Sequence, residues 1–270
     1  MSTSFEVDCE LNYEVFSTST FVFKIEAAAR PEQHIHCESL LTMPALPLDR
    51  HCDALGNRSC RVVVPPGSFS IRYQAAVSLP EPFDQKCTLQ ECPVESLPLD
   101  VLPYLCGSRY VESELLFHDA LQWIGTHQRG LARVERICDW VSQNIRYEIG
   151  TSMTHGTVRD ALSRRTGVCR DYAHVAIGLC RALNIPARFV VGHVLWDTPP
   201  PDFHALFEAY LEDRWVLFDP TGMAPTSDVI RIGTGADAAA LPFATIFGSA
   251  NMIRMAPHVF RSMADSRVAA

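Results

Sequence analysis

The sequence lacks several features that define other classes of protein. No segment approaches the roughly 18 consecutive apolar residues that a membrane-spanning helix needs. The opening MSTSFEVDCE has no basic region followed by an apolar stretch, which is the pattern of a secretory leader. We therefore expect a cytoplasmic protein that does not bind a membrane.

Paired cysteine motifs are also missing, although the chain contains ten cysteines among its 270 residues. Their spacings are irregular and include no CxxC pair, which argues against both a disulfide framework and a structural zinc site. No group of aspartates and asparagines has the spacing of a calcium loop. We expect reduced thiols, no metal and no cofactor.

Positive charge is scarce, because 23 lysines and arginines are outnumbered by 31 aspartates and glutamates. The net charge is −8, and no basic stripe with interleaved aromatic residues marks a nucleic-acid surface. The hydrophobic fraction of 47% is ordinary for a soluble globular protein that buries a core. Nucleic acid is therefore not an expected partner.

The first part of the chain has the pattern of β-strands. Apolar and polar residues alternate without a break from Phe5 to Val15, as in a strand with one buried and one solvent-exposed face. Further short β-rich runs follow, separated by proline, glycine and asparagine. We predict a separately folding antiparallel β sandwich over residues 1–92 and a proline-rich connector over residues 93–103.

Residues 104–270 are predicted to form a catalytic domain, which makes the whole chain an α+β protein. Apolar residues recur at helical spacing over residues 115–124 and 131–145, and again after residue 169. Three strand-like runs then follow, PARFVVGHVLW, HALFEAYLE and RWVLFDPTG. This order predicts a helix packed against an antiparallel sheet.

One cysteine occupies a position suited to chemistry. In RRTGVCRDYAHV, Gly167 can form the turn into a helix whose first turn contains Cys169. Unpaired backbone N–H groups and the positive end of the helix dipole favour a thiolate there. The position of Cys169 alone is weak support for a catalytic role, because free cysteines commonly serve as small buried hydrophobic residues. We predict that Cys106, Cys138 and Cys180 are such core residues.

Two later residues complement Cys169. His204 begins the second of the three predicted strands and Asp219 ends the third, 15 residues later. Antiparallel strands joined by a turn around Asp213 bring the start of one beside the end of the next, so the two side chains can meet. An imidazole oriented by a carboxylate can take a thiol proton. The alternative is a strand-end pair that only closes a turn.

Two polar residues of the same predicted helix have simpler interpretations. His174 could be a second base or a metal partner, but we expect a surface or capping histidine. Asp171 could compete for His204, although a carboxylate in the first turn of a helix is expected from the dipole alone.

The runs GVCRDYAHVAIGLCRALNIPARFVVGHV and FHALFEAYLEDRWVLFDPTG resemble the transglutaminase-like superfamily, specifically its bacterial branch with an N-terminal β domain. The resemblance implies a papain-like catalytic geometry and matches the family's nucleophile, histidine and aspartate to Cys169, His204 and Asp219. It also suggests Tyr147, in IRY, as a residue near the oxyanion. Family members often have HAW after the histidine, whereas this chain has Leu206, which would change a wall of the site.

This resemblance implies acyl transfer through a thioester. We expect a thiol-dependent amide hydrolase, a peptidase or amidase that acts on a peptide or protein through an acyl-enzyme. A transglutaminase that passes the acyl group to an amine would use the same triad, and a catalytically silent binding module is a third alternative. We prefer hydrolysis because water is abundant and nothing in the sequence marks a groove for lysine.

Overall fold

The computed structural model describes residues 3–81, 89–151, 153, 155–196 and 201–262. Antiparallel sheets dominate, and a smaller group of helices follows the first six strands. The strands are β1 (Thr3–Val15), β2 (Ser19–Phe23), β3 (His34–Met43), β4 (Asp49–Cys52), β5 (Arg58–Val64), β6 (Gly67–Leu79), β7 (Arg146–Tyr147), β8 (Thr166–Gly167), β9 (Ala187–His193), β10 (His204–Leu211), β11 (Arg214–Phe218), β12 (Ile230–Gly235), β13 (Ala244–Phe247) and β14 (Ala250–Arg261). The helices are α1 (Phe117–Trp123), α2 (Leu131–Asn144), α3 (Val158–Arg164) and α4 (Cys169–Ala182).

The N-terminal part contains two four-stranded sheets, in the orders β14-β1-β6-β3 and β13-β2-β5-β4. As the sequence pattern predicts, β1 alternates between buried apolar and less buried polar side chains from Phe5 to Val15. Aromatic side chains fill the space between the sheets, where Tyr13 meets Phe21 edge to face with ring centroids 5.1 Å apart. Large buried aromatic rings supply much of the apolar area that stabilises such a core.

The last two strands return to these sheets. β14 pairs along most of β1, and β13 pairs with β2. Residues 244–261 therefore complete the N-terminal sheets, which corrects the assignment of all of 104–270 to the catalytic domain. The alternation of a strand reports which face is buried but not which strand forms its hydrogen-bonded neighbour, so the sequence does not predict this return.

A third four-stranded sheet has the order β11-β10-β9-β12, and α4 packs against it. Every residue of β9 and β10 is buried. Along β10, Phe207 belongs to the main core that contains α4, whereas Leu206 packs in a second cluster with Val190 and Leu217. Leu206 is thus a fully buried core residue, in the cluster against which Trp196 also packs.

The first hundred residues share one apolar core with the sheet that contains β9 and β10. Buried hydrogen bonds also connect them: Nε2 of His193 lies 2.8 Å from the carbonyl oxygen of Ile25, and the amide of Asn57 exchanges two bonds with the backbone of Thr234. Independent domains are expected to be joined by an exposed, polar linker with few contacts across it, whereas these two parts share a buried interface.

Two residues differ from their predicted surroundings. His174 is buried between Tyr110 and Phe189, and its Nε2 accepts a hydrogen bond from the N–H of Ala238 at 3.1 Å. Burial lowers the pKa of His174 to about 3, so the ring stays neutral in the core and is no surface residue. Cys106, predicted to be in the core, is exposed.

Candidate active site

Cys169 is the first residue of α4 and is partly exposed. The backbone N–H of Val168 donates to the carboxylate of Asp171 at 2.9 Å, which satisfies one of the free donors at the helix start. A Cβ on Gly167 would lie only 2.6 Å from that of Asp171, so glycine permits this close approach. Asp171 therefore caps the helix that presents the Cys169 sulfur.

The hairpin between β10 and β11 brings His204 and Asp219 together. Its loop consists of two residues, Glu212 and Asp213, with φ angles of 43° and 59°. Two successive positive φ angles give the turn a twist that matches the right-handed twist of the strands. Oδ2 of Asp219, which directly follows β11, lies 3.0 Å from Nε2 of His204. The meeting predicted from strand geometry is present in the structure.

The Asp219 carboxylate is surrounded by donors. Its Oδ1 accepts from the hydroxyl of Thr221 at 2.7 Å and from that residue's N–H at 2.9 Å, and its Oδ2 also accepts from the N–H of Ala224 at 2.9 Å. Burial alone would raise the pKa of Asp219, but His204, Thr221 and Ala224 hold it below its ordinary value. The carboxylate is therefore ionised and fixed in orientation.

His204 is fully buried, and its two ring nitrogens differ in their surroundings. Nε2 is engaged by Asp219, with the hydroxyl of Thr221 at 3.5 Å. Nδ1 is buried without a hydrogen-bond partner among the described residues, which leaves it for the thiol of Cys169. Burial lowers the pKa of His204, but Asp219 and Cys169 outweigh that effect and raise it to about 9.

Tyr147 lies beside Cys169. β7 and β8 pair in parallel, and Tyr147 is the register partner of Gly167, two residues before the cysteine. Burial raises the pKa of the Tyr147 hydroxyl, and the sulfur of Cys169 raises it further, whereas the Cys169 backbone N–H acts in the opposite direction. The hydroxyl is thus close to both the thiol and the first backbone donor of α4.

Sequence reasoning missed two residues of the site. The ring of Trp196 meets that of His204 edge to face at 5.4 Å, and its indole N–H donates to the carbonyl oxygen of Asp202. Thr221 contacts both Asp219 and His204, and it lies in the run FHALFEAYLEDRWVLFDPTG that resembles the family. The only signal in the sequence for the contact of Trp196 with His204 is that Trp196 comes soon after the end of the buried strand β9.

Within the described residues, no group of three or more histidine, cysteine, aspartate or glutamate side chains has an arrangement that could hold a metal ion. The nine cysteines in those residues are all free thiols. No helix in the same ranges is long and apolar enough to cross a membrane.

Comparison with known proteins places this site in a family. The family model of the transglutaminase-like superfamily matches residues 120–220, and that of the bacterial transglutaminase N-terminal domain matches residues 3–100. The crystal structure of a candidate cysteine protease from Cytophaga hutchinsonii is 35% identical, with a TM-score of 0.90 over 97% of this chain and 91% of that chain. The chain belongs to the transglutaminase-like superfamily.

Two curated relatives are uncharacterized mycobacterial proteins. One, from Mycobacterium leprae, is 32% identical over 106 residues, which are 36% of this chain and 38% of the relative. The other, from Mycobacterium tuberculosis, is 30% identical over 110 residues, 36% of this chain and 35% of the relative. The match thus spans less than two fifths of these relatives. Membership of the superfamily supports a general function like that of cysteine proteases and transglutaminases.

Proposed function

We propose that the protein is a thiol-dependent amide hydrolase that acts through an acyl-enzyme on Cys169. In this mechanism His204 transfers the proton and Asp219 orients the imidazole. The observation that carries the proposal is the 3.0 Å contact between Nε2 of His204 and Asp219, which leaves Nδ1 for a thiol at the start of a helix.

Acylation begins when the thiol proton moves to Nδ1 of His204. The thiolate of Cys169 attacks the amide carbonyl carbon, and the resulting oxyanion is stabilised by backbone N–H groups at the start of α4 and by the hydroxyl of Tyr147. The C–N bond then breaks as the imidazolium of His204 gives its proton to the leaving amine. A thioester on Cys169 and a free amine are the products of this step.

Deacylation repeats the chemistry with water. His204 removes a proton from the water molecule, the hydroxide oxygen adds to the thioester carbon, and the sulfur of Cys169 leaves with a proton from the imidazolium. The ring of Trp196 covers one edge of the imidazole and helps to orient it. The carboxylic acid product then departs.

We further propose that the substrate carries an apolar side chain near the scissile amide. Two exposed apolar residues lie close in sequence to site residues, and one of them, Ile149, follows Tyr147 by two residues and is 82% exposed. Met223, four residues after Asp219, is also exposed. Exposed apolar side chains bind apolar substrate groups because burial removes both surfaces from water.

A second candidate, acyl transfer to an amine, is favoured by the match of residues 3–100 to the N-terminal domain of bacterial transglutaminases. A proteome-derived peptide library incubated with a fluorescent primary amine distinguishes the two reactions by mass spectrometry. Hydrolysis yields shorter peptides with new termini, whereas amine capture yields adducts. We expect cleavage at apolar positions that the Cys169→Ala variant does not perform, and a majority of amine adducts would favour the transferase.

A silent binding module would give neither product, and thiol chemistry identifies it without any substrate. Under the proposed function, iodoacetamide at pH 6 alkylates Cys169 far faster than the exposed Cys37 or Cys52. Equal rates at these cysteines would favour the silent module.

A further inference from the structure

Arg165 adopts a backbone conformation that is unusual for its residue type. It follows the last residue of α3 with φ 54°, in the left-handed region, and its N–H donates to the carbonyl oxygen of Ala161 at 2.8 Å. Glycine or asparagine is the usual residue at such a helix end, because a Cβ crowds the backbone there. Arginine at this position is therefore sterically strained, and a favourable side-chain contact can offset that strain.

That contact is a pair of stacked tryptophans. The rings of Trp123, at the end of α1, and Trp140, in α2, lie 4.4 Å apart at an angle of 9°. The guanidinium carbon of Arg165 lies within about 6 Å of both ring centroids, 5.8 Å from that of Trp123 and 5.4 Å from that of Trp140. A guanidinium within about 6 Å of an indole centroid can be attracted by the π electrons of the ring. We call these three residues the Arg165 clamp.

The clamp connects directly to the candidate site through β8. The carbonyl oxygen of Arg165 accepts the N–H of Arg146 at 2.8 Å, and that of Gly167 accepts the N–H of Glu148 at 2.9 Å. These bonds bracket Tyr147 on one strand. On the other strand, the chain continues from Gly167 through one residue to Cys169. A shift of β8 would therefore move the thiol and the Tyr147 hydroxyl relative to each other.

We propose that the Arg165 clamp is a positioning device that fixes the pairing of β7 with β8 and thereby the placement of Cys169 against His204 and Tyr147. Its three side chains touch no reacting atom and act only through the backbone of β8. This inference rests on the proposed function, because it takes Cys169 as the nucleophile. Small displacements of a reacting group cost large factors in rate, which is why such a device matters.

The test uses the full-length chain and iodoacetamide as the probe. Arg165→Gly removes the guanidinium while its backbone adopts the left-handed conformation without a steric cost. Arg165→Lys keeps a cation, and Arg159→Ala is the matched control, an exposed arginine on the same α3 helix. The alkylation rate of Cys169 in each protein is measured by mass spectrometry at pH 6 and at pH 9.

We expect Arg165→Gly to slow alkylation at pH 6 by about tenfold, because a displaced thiol loses the help of His204 in forming the thiolate. At pH 9 the difference should fall below about twofold, since cysteine thiols in general form thiolates at that pH without a neighbouring base. Arg165→Lys should stay within about threefold of the parent at pH 6, and Arg159→Ala should equal it. A parental rate for Arg165→Gly at pH 6, or equal slowing at both pH values, overturns the clamp.

The buried cysteines report on the fold in the same spectra. Cys9, Cys60 and Cys180 are buried and should remain unlabelled in every variant. If Arg165→Gly exposes these cysteines, the alkylation rate of Cys169 at pH 6 is compared between the parent and Trp140→Phe instead. This variant keeps an aromatic ring but weakens the cation–π contact, so slower alkylation would support the clamp and a parental rate would overturn it. A different result would contradict the proposed function: Cys169 of the parent protein would react no faster than the exposed Cys37 at pH 6.

Discussion

Nε2 of His204 lies 3.0 Å from Oδ2 of Asp219, and both side chains are almost completely buried. The low dielectric of the interior strengthens the attraction between an imidazolium and a carboxylate. This contact therefore both orients the ring and favours its protonated form, and it leaves Nδ1 as the nitrogen that can serve Cys169.

Replacement of Asp219, which orients the imidazole, should lower kcat less than replacement of His204, which carries the proton. We expect His204→Ala to lower kcat by about 10²–10⁴-fold, the usual contribution of general acid–base catalysis, and Asp219→Asn to lower it by less. KM should change less than kcat in both variants. Steady-state kinetics on a cleaved library peptide check this, and parental rates in Asp219→Asn would remove the carboxylate from the mechanism.

The pH dependence of acylation follows from the raised pKa of His204. The imidazolium must be present to protonate the leaving amine, and it loses its proton as the pH rises through about 9. We therefore expect kcat/KM to fall on the alkaline side near pH 9. In Asp219→Asn this fall should begin at lower pH, because the variant lacks the charge that favours the imidazolium. An unshifted alkaline limb in the variant would contradict the coupling.

Cys169→Ala should abolish turnover and leave the fold intact. The side chain is only partly buried, so its truncation removes little packing, and we expect the melting temperature to change by less than about 2 °C. Product formation and thermal unfolding are measured on the same preparation. Retained turnover in this variant would exclude Cys169 as the nucleophile.

A buried carboxylate in β10 should matter for stability. Glu208 is 1% exposed and forms ion pairs with Arg188 at 2.7 Å and Arg231 at 2.8 Å. Glu208→Gln leaves two arginines without their counter-charge, so we expect the free energy of unfolding to fall by about 3–5 kcal/mol. Urea unfolding at pH 7 measures the loss. In the matched control Glu6→Gln, at an exposed position of β1, the change should be less than about 0.5 kcal/mol.

The contribution of Glu208 to the stability of the fold should depend on pH. Burial alone would raise the pKa of Glu208, but Arg231, Arg188 and Arg30 reverse this and hold it below the ordinary value of 4.5. A depressed pKa in the folded state stabilises the protein above pH 4.5, and the contribution disappears as the pH falls through the folded-state pKa. Below that range the difference in stability between the parent and Glu208→Gln should shrink.

A chain that begins at Leu102 should aggregate. It retains β13 and β14 but lacks β2 and β1, the strands with which they pair. Unpaired strand edges and uncovered apolar faces promote association. Solubility after expression is the measurement, and co-expression of residues 1–101 should restore it. A soluble truncated chain with a reactive Cys169 would show instead that the catalytic part folds alone.

The sequence by itself determined the features that depend on neighbours along the chain. The alternation from Phe5 to Val15 marked β1, and the glycine turn before an apolar helical run marked the start of α4 at Cys169. A short hairpin was sufficient to predict that His204 and Asp219 meet, because a two-residue loop fixes the register of its strands.

Only the tertiary structure decided the contacts between segments far apart in sequence. The pairing of β14 with β1, the burial of His174, and the position of Trp196 against His204 left no periodic signal in the chain. The reason is physical: periodicity records whether a face is buried, whereas the identity of the covering segment is chosen by packing over the whole molecule. The contact of Arg165 with two stacked tryptophans from other helices is of the same kind.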